Sequence, residues 1–355
     1  MTEALTPPGP AAAAPELLRV EALTKHFPVR GGILNRGRVV VHAVDGVDFS
    51  VYEGETLSLV GESGCGKTTT GRMIVRLLHP TSGRVLYRGE NLAALPSRKL
   101  RRIRGDLQLM FQDPHSSLSP RMSVHDIVAE PLRVQGRYRD GGPARVRELL
   151  DLVGLARHYE NRYAHEFSGG QRQRIGLARA LALDPRMLVL DEPVSALDVS
   201  IRAQVVNQLR ALQRQLGLAF VFISHDLSIV RHVSTRVAVM YLGAIVEIGT
   251  RDQIFQSSRH PYTRALLSAV PVPDPTLRDA RDRITLGGDV PDPANPPSGC
   301  RFRTRCWKAQ DICATERPDL RTQPDGHAFA CHFPESATFG AVSDTMITTG
   351  QQEGR

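Results

Sequence analysis

The stretch that decides the fold is Gly61-Glu62-Ser63-Gly64-Cys65-Gly66-Lys67-Thr68, a complete G-x-x-x-x-G-K-[ST] phosphate-binding pattern. The apolar run Leu57-Ser58-Leu59-Val60 before it reads as a buried strand, and Thr69 to Leu78 reads as a helix. Glycines let the backbone curl so that successive N–H groups face inward, and the helix N-terminus adds partial positive charge. In such a loop the lysine reaches the β- and γ-phosphates of a nucleotide and the hydroxyl after it ligates Mg²⁺. These roles fall to Lys67 and Thr68, with Gly61, Glu62, Ser63, Gly64, Cys65, Gly66 and Thr69 completing the candidate ATP-binding surface.

Working outward, residues 18–60 carry short β-like runs, a pattern that continues over 83–88. From about 122 to 183 the periodicity turns helical; Val146, Leu149, Leu150 and Val153 follow an i, i+3, i+4, i+7 spacing. Two buried-strand runs follow, Met187 to Leu190 and Ala219 to Ile223. Between them Ile201, Val205, Leu209, Leu212 and Leu216 form one apolar stripe, with Gly217 placed to end that helix. Strands alternating with helices predict an α/β fold with a parallel-sheet core. Seven prolines between residues 271 and 297 read as a connecting passage, followed by a compact segment with four cysteines and a polar tail.

Bulk properties narrow the class. The chain has 355 residues, 41% of them apolar, and a formal net charge of +8. No apolar run approaches the ~20 residues of a membrane span, and no basic-then-apolar leader is visible at the start. The net positive charge permits nucleic acid or an anionic membrane face as partner. Its densest cluster, Arg98, Lys99, Arg101, Arg102 and Arg104, lacks interleaved aromatics and reads as a solvated helical face.

Leu188-Val189-Leu190-Asp191-Glu192 is an apolar strand ending in two carboxylates. Downstream of a phosphate loop, such a strand delivers Asp191 to Mg²⁺ and places Glu192 to polarise an attacking water as general base. Phe167-Ser168-Gly169-Gly170-Gln171 opens a second glycine-rich helix start, with Ser168 suited to the N-cap.

With these motifs in order, the chain resembles the ATP-binding subunits of ABC transporters over roughly residues 18–335; their signature reads L-S-G-G-Q, and Phe167 departs at its first position. The resemblance implies a P-loop ATPase with an antiparallel β subdomain, a helical subdomain (about 113–183) and a C-terminal extension. On that pattern Gln112 matches the glutamine loop that senses Mg²⁺, Asp198 the D-loop, His225 the switch histidine at the γ-phosphate, and Phe27 the aromatic that stacks on adenine. Ser168, Gly169, Gly170 and Gln171 would contact ATP held by a partner ATPase. The implied layout is a tail to residue 16, an ATPase domain over 17–270, an extension over 271–335 and a second tail over 336–355.

Asp113 to Met122, His260 to Leu267 and Pro296 to Phe302 look like segments of oligopeptide and dipeptide importer ATPases, most similar to their "F" type subunit. This implies pairing with a related "D" ATPase, two membrane permeases and an extracytoplasmic peptide-binding protein. It places the chain peripherally on the cytoplasmic face of the membrane, powering peptide import by ATP hydrolysis, with no nucleic acid expected. The alternatives are an importer of another solute, such as nickel or a sugar, and a nucleic-acid-associated ABC ATPase. Cys300, Cys306, Cys313 and Cys331 have the spacing C-x₅-C-x₆-C-x₁₇-C, without the C-x₂-C knuckle of zinc ribbons. Some importer ATPases carry a [4Fe–4S] cluster in this segment, though Trp307 stands here where a proline is frequent. Cluster, zinc and reduced thiols remain the three readings.

Overall fold

A computed structural model describes residues 14–30, 38–111, 118–195, 197–270 and 284–335. Its centre is an eight-stranded sheet. Five neighbouring strands run parallel: β9 (Arg236–Tyr241), β3 (Thr56–Val60), β8 (Ala219–Ile223), β7 (Met187–Asp191) and β6 (Leu107–Met110). β10 (Ala244–Thr250) extends the β9 edge antiparallel, and two-residue strands β12 (Ala328–Phe329) and β11 (Arg321–Thr322) complete it.

Burial on both faces explains why the central strands read as unbroken apolar runs. In β7, Met187 and Val189 enter one core while Leu188 and Leu190 enter the other. In β8, Ala219, Val221 and Ile223 face the first and Phe220 and Phe222 the second. The first core is shared with the helix Lys67–Ile74 and with a four-stranded antiparallel sheet in which β1 (Glu16–Arg30) pairs with β2 (Arg38–Tyr52) and β4 (Ser82–Tyr87), and β4 with β5 (Glu90–Asn91). The short β-like runs before residue 52 are thus pieces of two long strands, interrupted by register shifts, whereas Leu57–Val60 belongs to β3 of the central sheet.

The second core is shared with the helices Val124–Val134, Gly142–Leu152, Gly169–Leu181 and Val199–Leu216. Val146, Leu149, Leu150 and Val153 are all fully buried, as their spacing predicts. In Val199–Leu216 the stripe buries Val205, Leu209 and Leu212, while Leu216 at the last turn is exposed; Gly217 ends the helix in the left-handed region (φ 64). The basic cluster lies on the helix Ser97–Asp106, none of whose residues is buried.

The cysteine-bearing segment is joined to this core by charge. Glu247 of β10 is fully buried and accepts from the backbone N–H of Arg259 (2.5 Å) and of His260 (3.0 Å). His327 Nε2 lies 2.8 Å from the same carboxylate. His260 then caps the helix Pro261–Ser268 by accepting the Tyr262 N–H at Nδ1 (3.1 Å), and burial pushes its pKa down to about 4, which keeps that nitrogen free to accept. Glu247→Ala leaves two buried N–H donors and an imidazole without their partner. A loss of about 3 kcal/mol is expected, as for breaking a buried pair from one side; urea unfolding followed by circular dichroism measures it.

Candidate functional site

The site sits at the C-terminal ends of the parallel strands, where an open α/β sheet forms its crevice. β3 ends at Val60 and the chain turns through Gly61 to Gly66 into the helix Lys67–Ile74. Two glycines are required here: Gly61 (φ 150) and Gly66 (φ 105) have positive φ, and a Cβ at either would collide with a backbone carbonyl, of Met240 and Ala43 respectively. The loop is therefore gripped between β2 and β9.

Lys67 is buried and its ammonium donates to the carbonyls of Gly61 and Glu62, both at 2.9 Å. Carbonyls solvate a cation without neutralising it, so the pocket is built for an anion. Thr68 Oγ1 donates to Asp191 Oδ1 at 2.8 Å. Asp191, the last residue of β7, is 2% exposed; burial pushes its pKa up, against the Thr68 hydrogen bond. A buried carboxylate beside a hydroxyl fits a hard divalent cation. Cys65 is a buried thiol whose pKa burial raises, as suits a packing residue.

Glu192 follows Asp191 in the left-handed region (φ 46), an uncommon conformation for a non-glycine residue. Its N–H donates to Ile223 O of β8 (3.0 Å), and its Oε1 lies 3.2 Å from His225 Nδ1 just beyond that strand. The structure thus gathers Lys67, Thr68, Asp191, Glu192 and His225 from three adjacent strand ends. Gln112 lies outside the described residues, although β6 ends at Met110, just before it. Phe27 stands on the β1–β2 hairpin opposite Val41, its ring 5.0 Å from Lys25 Nζ.

Ser168, Gly169, Gly170 and Gln171 form a different surface. Ser168 caps the helix Gly169–Leu181 in a capping box with Gln171. A Cβ on Gly170 would lie 2.7 Å from Ile201 Cγ2, and one on Gly169 3.4 Å from Leu197 Cδ2. These glycines therefore let the helix approach the segment that holds Asp198, which is exposed at the N-cap of Val199–Leu216. Gln173 Nε2 donates to Pro193 O and so ties this helix to the loop carrying Glu192.

The four C-terminal cysteines line one pocket with His260, Phe302 and Phe333. All are free thiols. Burial raises the pKa of Cys300, Cys306 and Cys331, the last to about 12. Nearby backbone amides, of Phe302 at Cys300, Lys308 at Cys306 and Phe333 at Cys331, act against that rise. Convergent sulfurs near backbone amides suit bound thiolates. Among the described residues the only three candidate ligands mutually within 4.8 Å are His26, His42 and Asp45, so no three of the sulfurs draw that close. A zinc tetrahedron needs edges of about 3.8 Å; this arrangement is wider. The His26–His42–Asp45 group is itself a poor cation site, because Asp45 already ion-pairs with Arg301 and Arg317.

Sequence reading missed Glu247, Tyr262 and Arg305. Tyr262 OH accepts the Glu62 N–H at 2.9 Å, and Arg305 forms a bidentate pair with the Glu62 carboxylate. Tyr262 lies within the His260 to Leu267 segment noted above but carried no role there, and no local motif marks Arg305.

A phosphate loop with its buried lysine, a buried carboxylate bonded to the Thr68 hydroxyl, and a glutamate in the left-handed region beside a histidine, all at parallel strand ends, define an ATP-binding-cassette ATPase. The family described as ABC transporter matches residues 44–195, and that described as oligopeptide/dipeptide transporter, C-terminal region, matches residues 246–313. The chain belongs to the ATP-binding subunits of ABC transporters, in the oligopeptide/dipeptide importer family. It is 52% identical over 324 residues to a putative oligopeptide transport ATP-binding protein of Bacillus subtilis, covering 90% of this chain and 96% of that one. A second Bacillus subtilis relative, an oligopeptide transport ATP-binding protein, is 49% identical over 89% of this chain and 97% of its own. Among solved structures, a dimeric ATP-binding cassette in a post-hydrolysis state with ADP and Pi superposes with a TM-score of 0.58 at 27% identity, covering 66% of this chain and 99% of that one.

The buried Asp191 predicts how the cation site responds to pH. Its carboxyl titrates above the ordinary aspartate range, so protonation competes with Mg²⁺ at a higher pH than usual. The rise in melting temperature that Mg²⁺ adds in the presence of ATP should shrink as pH is lowered from 7 toward 5. In Asp191→Asn that rise should be lost throughout; a thermal-shift series measures both.

Proposed function

We propose that this chain hydrolyses ATP to power peptide import, docked on two membrane permeases that receive solute from an extracytoplasmic binding protein. The observation that carries this reading is the occurrence, in one chain, of an ABC transporter ATPase region and the importer-type C-terminal region. Among the described residues no helix is long and apolar enough to cross a membrane, so attachment would be through the permeases at the cytoplasmic face. The ATPase partner would be a related "D" type subunit, with this chain as the "F" type.

In this reading Lys67 and the loop Gly61 to Thr69 hold the β- and γ-phosphates, the Glu62 N–H being taken by Tyr262, and Phe27 stacks on the adenine. Mg²⁺, held by Thr68, Asp191 and Gln112, would neutralise charge on the phosphate oxygens. Glu192 takes a proton from the attacking water, and His225, already 3.2 Å from it, orients that carboxylate and the γ-phosphate. Ser168, Gly169, Gly170 and Gln171 contact the nucleotide bound by the partner, with Asp198 at the same interface. ATP then favours the closed dimer by its differential affinity, and product release reopens it. Glu192→Gln should lower turnover in the assembled transporter by at least ~10²-fold while ATP binding persists. Near-normal turnover would remove Glu192 from the role of base.

We assign the four cysteines to a [4Fe–4S] cluster. Four convergent, partly or fully buried thiols in one pocket support it, as does a spread wider than a zinc site requires. Such a group would cross-link the segment covalently rather than take part in hydrolysis. Anaerobically purified protein should contain iron and acid-labile sulfide in the proportion of one cluster, and Cys306→Ser should lose its visible absorbance. One equivalent of zinc without iron would establish the zinc reading instead, and metal-free protein with four titratable thiols would reject both.

A further inference from the structure

The cysteine segment makes a direct ion pair with the phosphate loop through Arg305. Arg305 immediately precedes Cys306, and its N–H donates to Phe302 O at 3.0 Å within the turn that carries the cysteines. Its guanidinium extends to the phosphate loop: Nη1 donates to Glu62 Oε2 at 2.8 Å and Nη2 to Oε1 at 3.1 Å. The arginine side chain is 8% exposed and that of Glu62 26%, so the pair is shielded from solvent screening. Glu62 is held at its backbone as well, its N–H by Tyr262 OH and its carbonyl by Lys67 Nζ.

Glu62 is an awkward residue for its position. It places a carboxylate in a loop whose ligand is a polyphosphate, and an uncompensated charge there repels that ligand. The bidentate arginine cancels the charge and aligns the carboxylate plane. We infer that Arg305 is a positioning residue for ATP: it neutralises and holds Glu62, so that the cysteine segment completes the phosphate loop of its own chain. The role of Arg305 rests on the ATPase reading and not on what the cysteines bind; only its extension to Cys306 rests on the thiols holding a common group. Its consequence is regulatory, since any change that loosens the Cys306 turn moves Arg305 and weakens nucleotide binding from outside the ATP site.

The test is equilibrium binding of a fluorescent ATP analogue to the full chain. Arg305→Ala should raise Kd about tenfold, the size of one lost charge-assisted pair. Arg305→Lys should fall between, because a single ammonium cannot reproduce the fork. Adding Glu62→Gln to either variant should recover most of the loss, which a role in packing alone would not do. Wild-type affinity in both arginine variants, or no recovery with Glu62→Gln, overturns the inference. If Arg305→Ala does not fold, Arg305→Lys with and without Glu62→Gln decides it on the same criterion. Cys306→Ser should weaken binding in the otherwise native chain and have no such effect beside Glu62→Gln. Equal weakening in both backgrounds would overturn the route from the cysteines to the loop.

Discussion

A buried ammonium solvated by two carbonyls is the constraint on which this architecture depends. Lys67 cannot be satisfied in a generic interior, because carbonyl dipoles stabilise a cation without removing its charge. The surrounding structure exists to hold that arrangement open. Gly61 and Gly66 must be glycine so that the loop can press against Met240 and Ala43. β3 must be buried on both faces so that the loop has a rigid base. The molecule thus keeps an electrostatic deficit that an anion can fill at the C-terminal ends of its central parallel strands.

The other reactive groups reach the same place by the same device. Thr68 follows β3, Asp191 ends β7, and His225 follows β8. Parallel strands deliver their C-terminal ends to one side of a sheet, so residues far apart in sequence meet with little backbone adjustment. The exception is Glu192, which turns into the left-handed region to bring its carboxylate beside His225. The capping-box helix at Ser168 is built to meet Leu197 and Ile201, and Gln173 ties it to the loop that carries Glu192.

How much of this was legible in the sequence followed from locality. The phosphate loop, the Asp191–Glu192 strand end and the Ser168 helix start are contiguous, and their chemistry requires their spacing. The strand alternation of β7 and β8 was readable because both faces are apolar. The long β1 and β2 strands were not, since bulges break their period into fragments. Arg305 and Glu62 are 243 residues apart, and neither an arginine before a cysteine nor a glutamate in a loop announces a partner. Glu247 was hidden for a related reason: a single acid within an apolar strand looks like a solvent-facing position, whereas here backbone donors and His327 replace water.

The pairing of β10 with β12 gives the chain an unusual dependence on its own far end. Ala244 to Gly249 are all buried, and β10 is covered on its outer side by residues some eighty positions downstream. Without them it would be a long, apolar, unpaired sheet edge, the kind that templates association between chains. The C-terminal region is therefore not an ornament added to a self-sufficient ATPase. It is the seam that closes the sheet, and during synthesis β10 must wait for residues some eighty positions later before that seam can form. Whatever recruits the protein to its complex acts on a fold that finishes late.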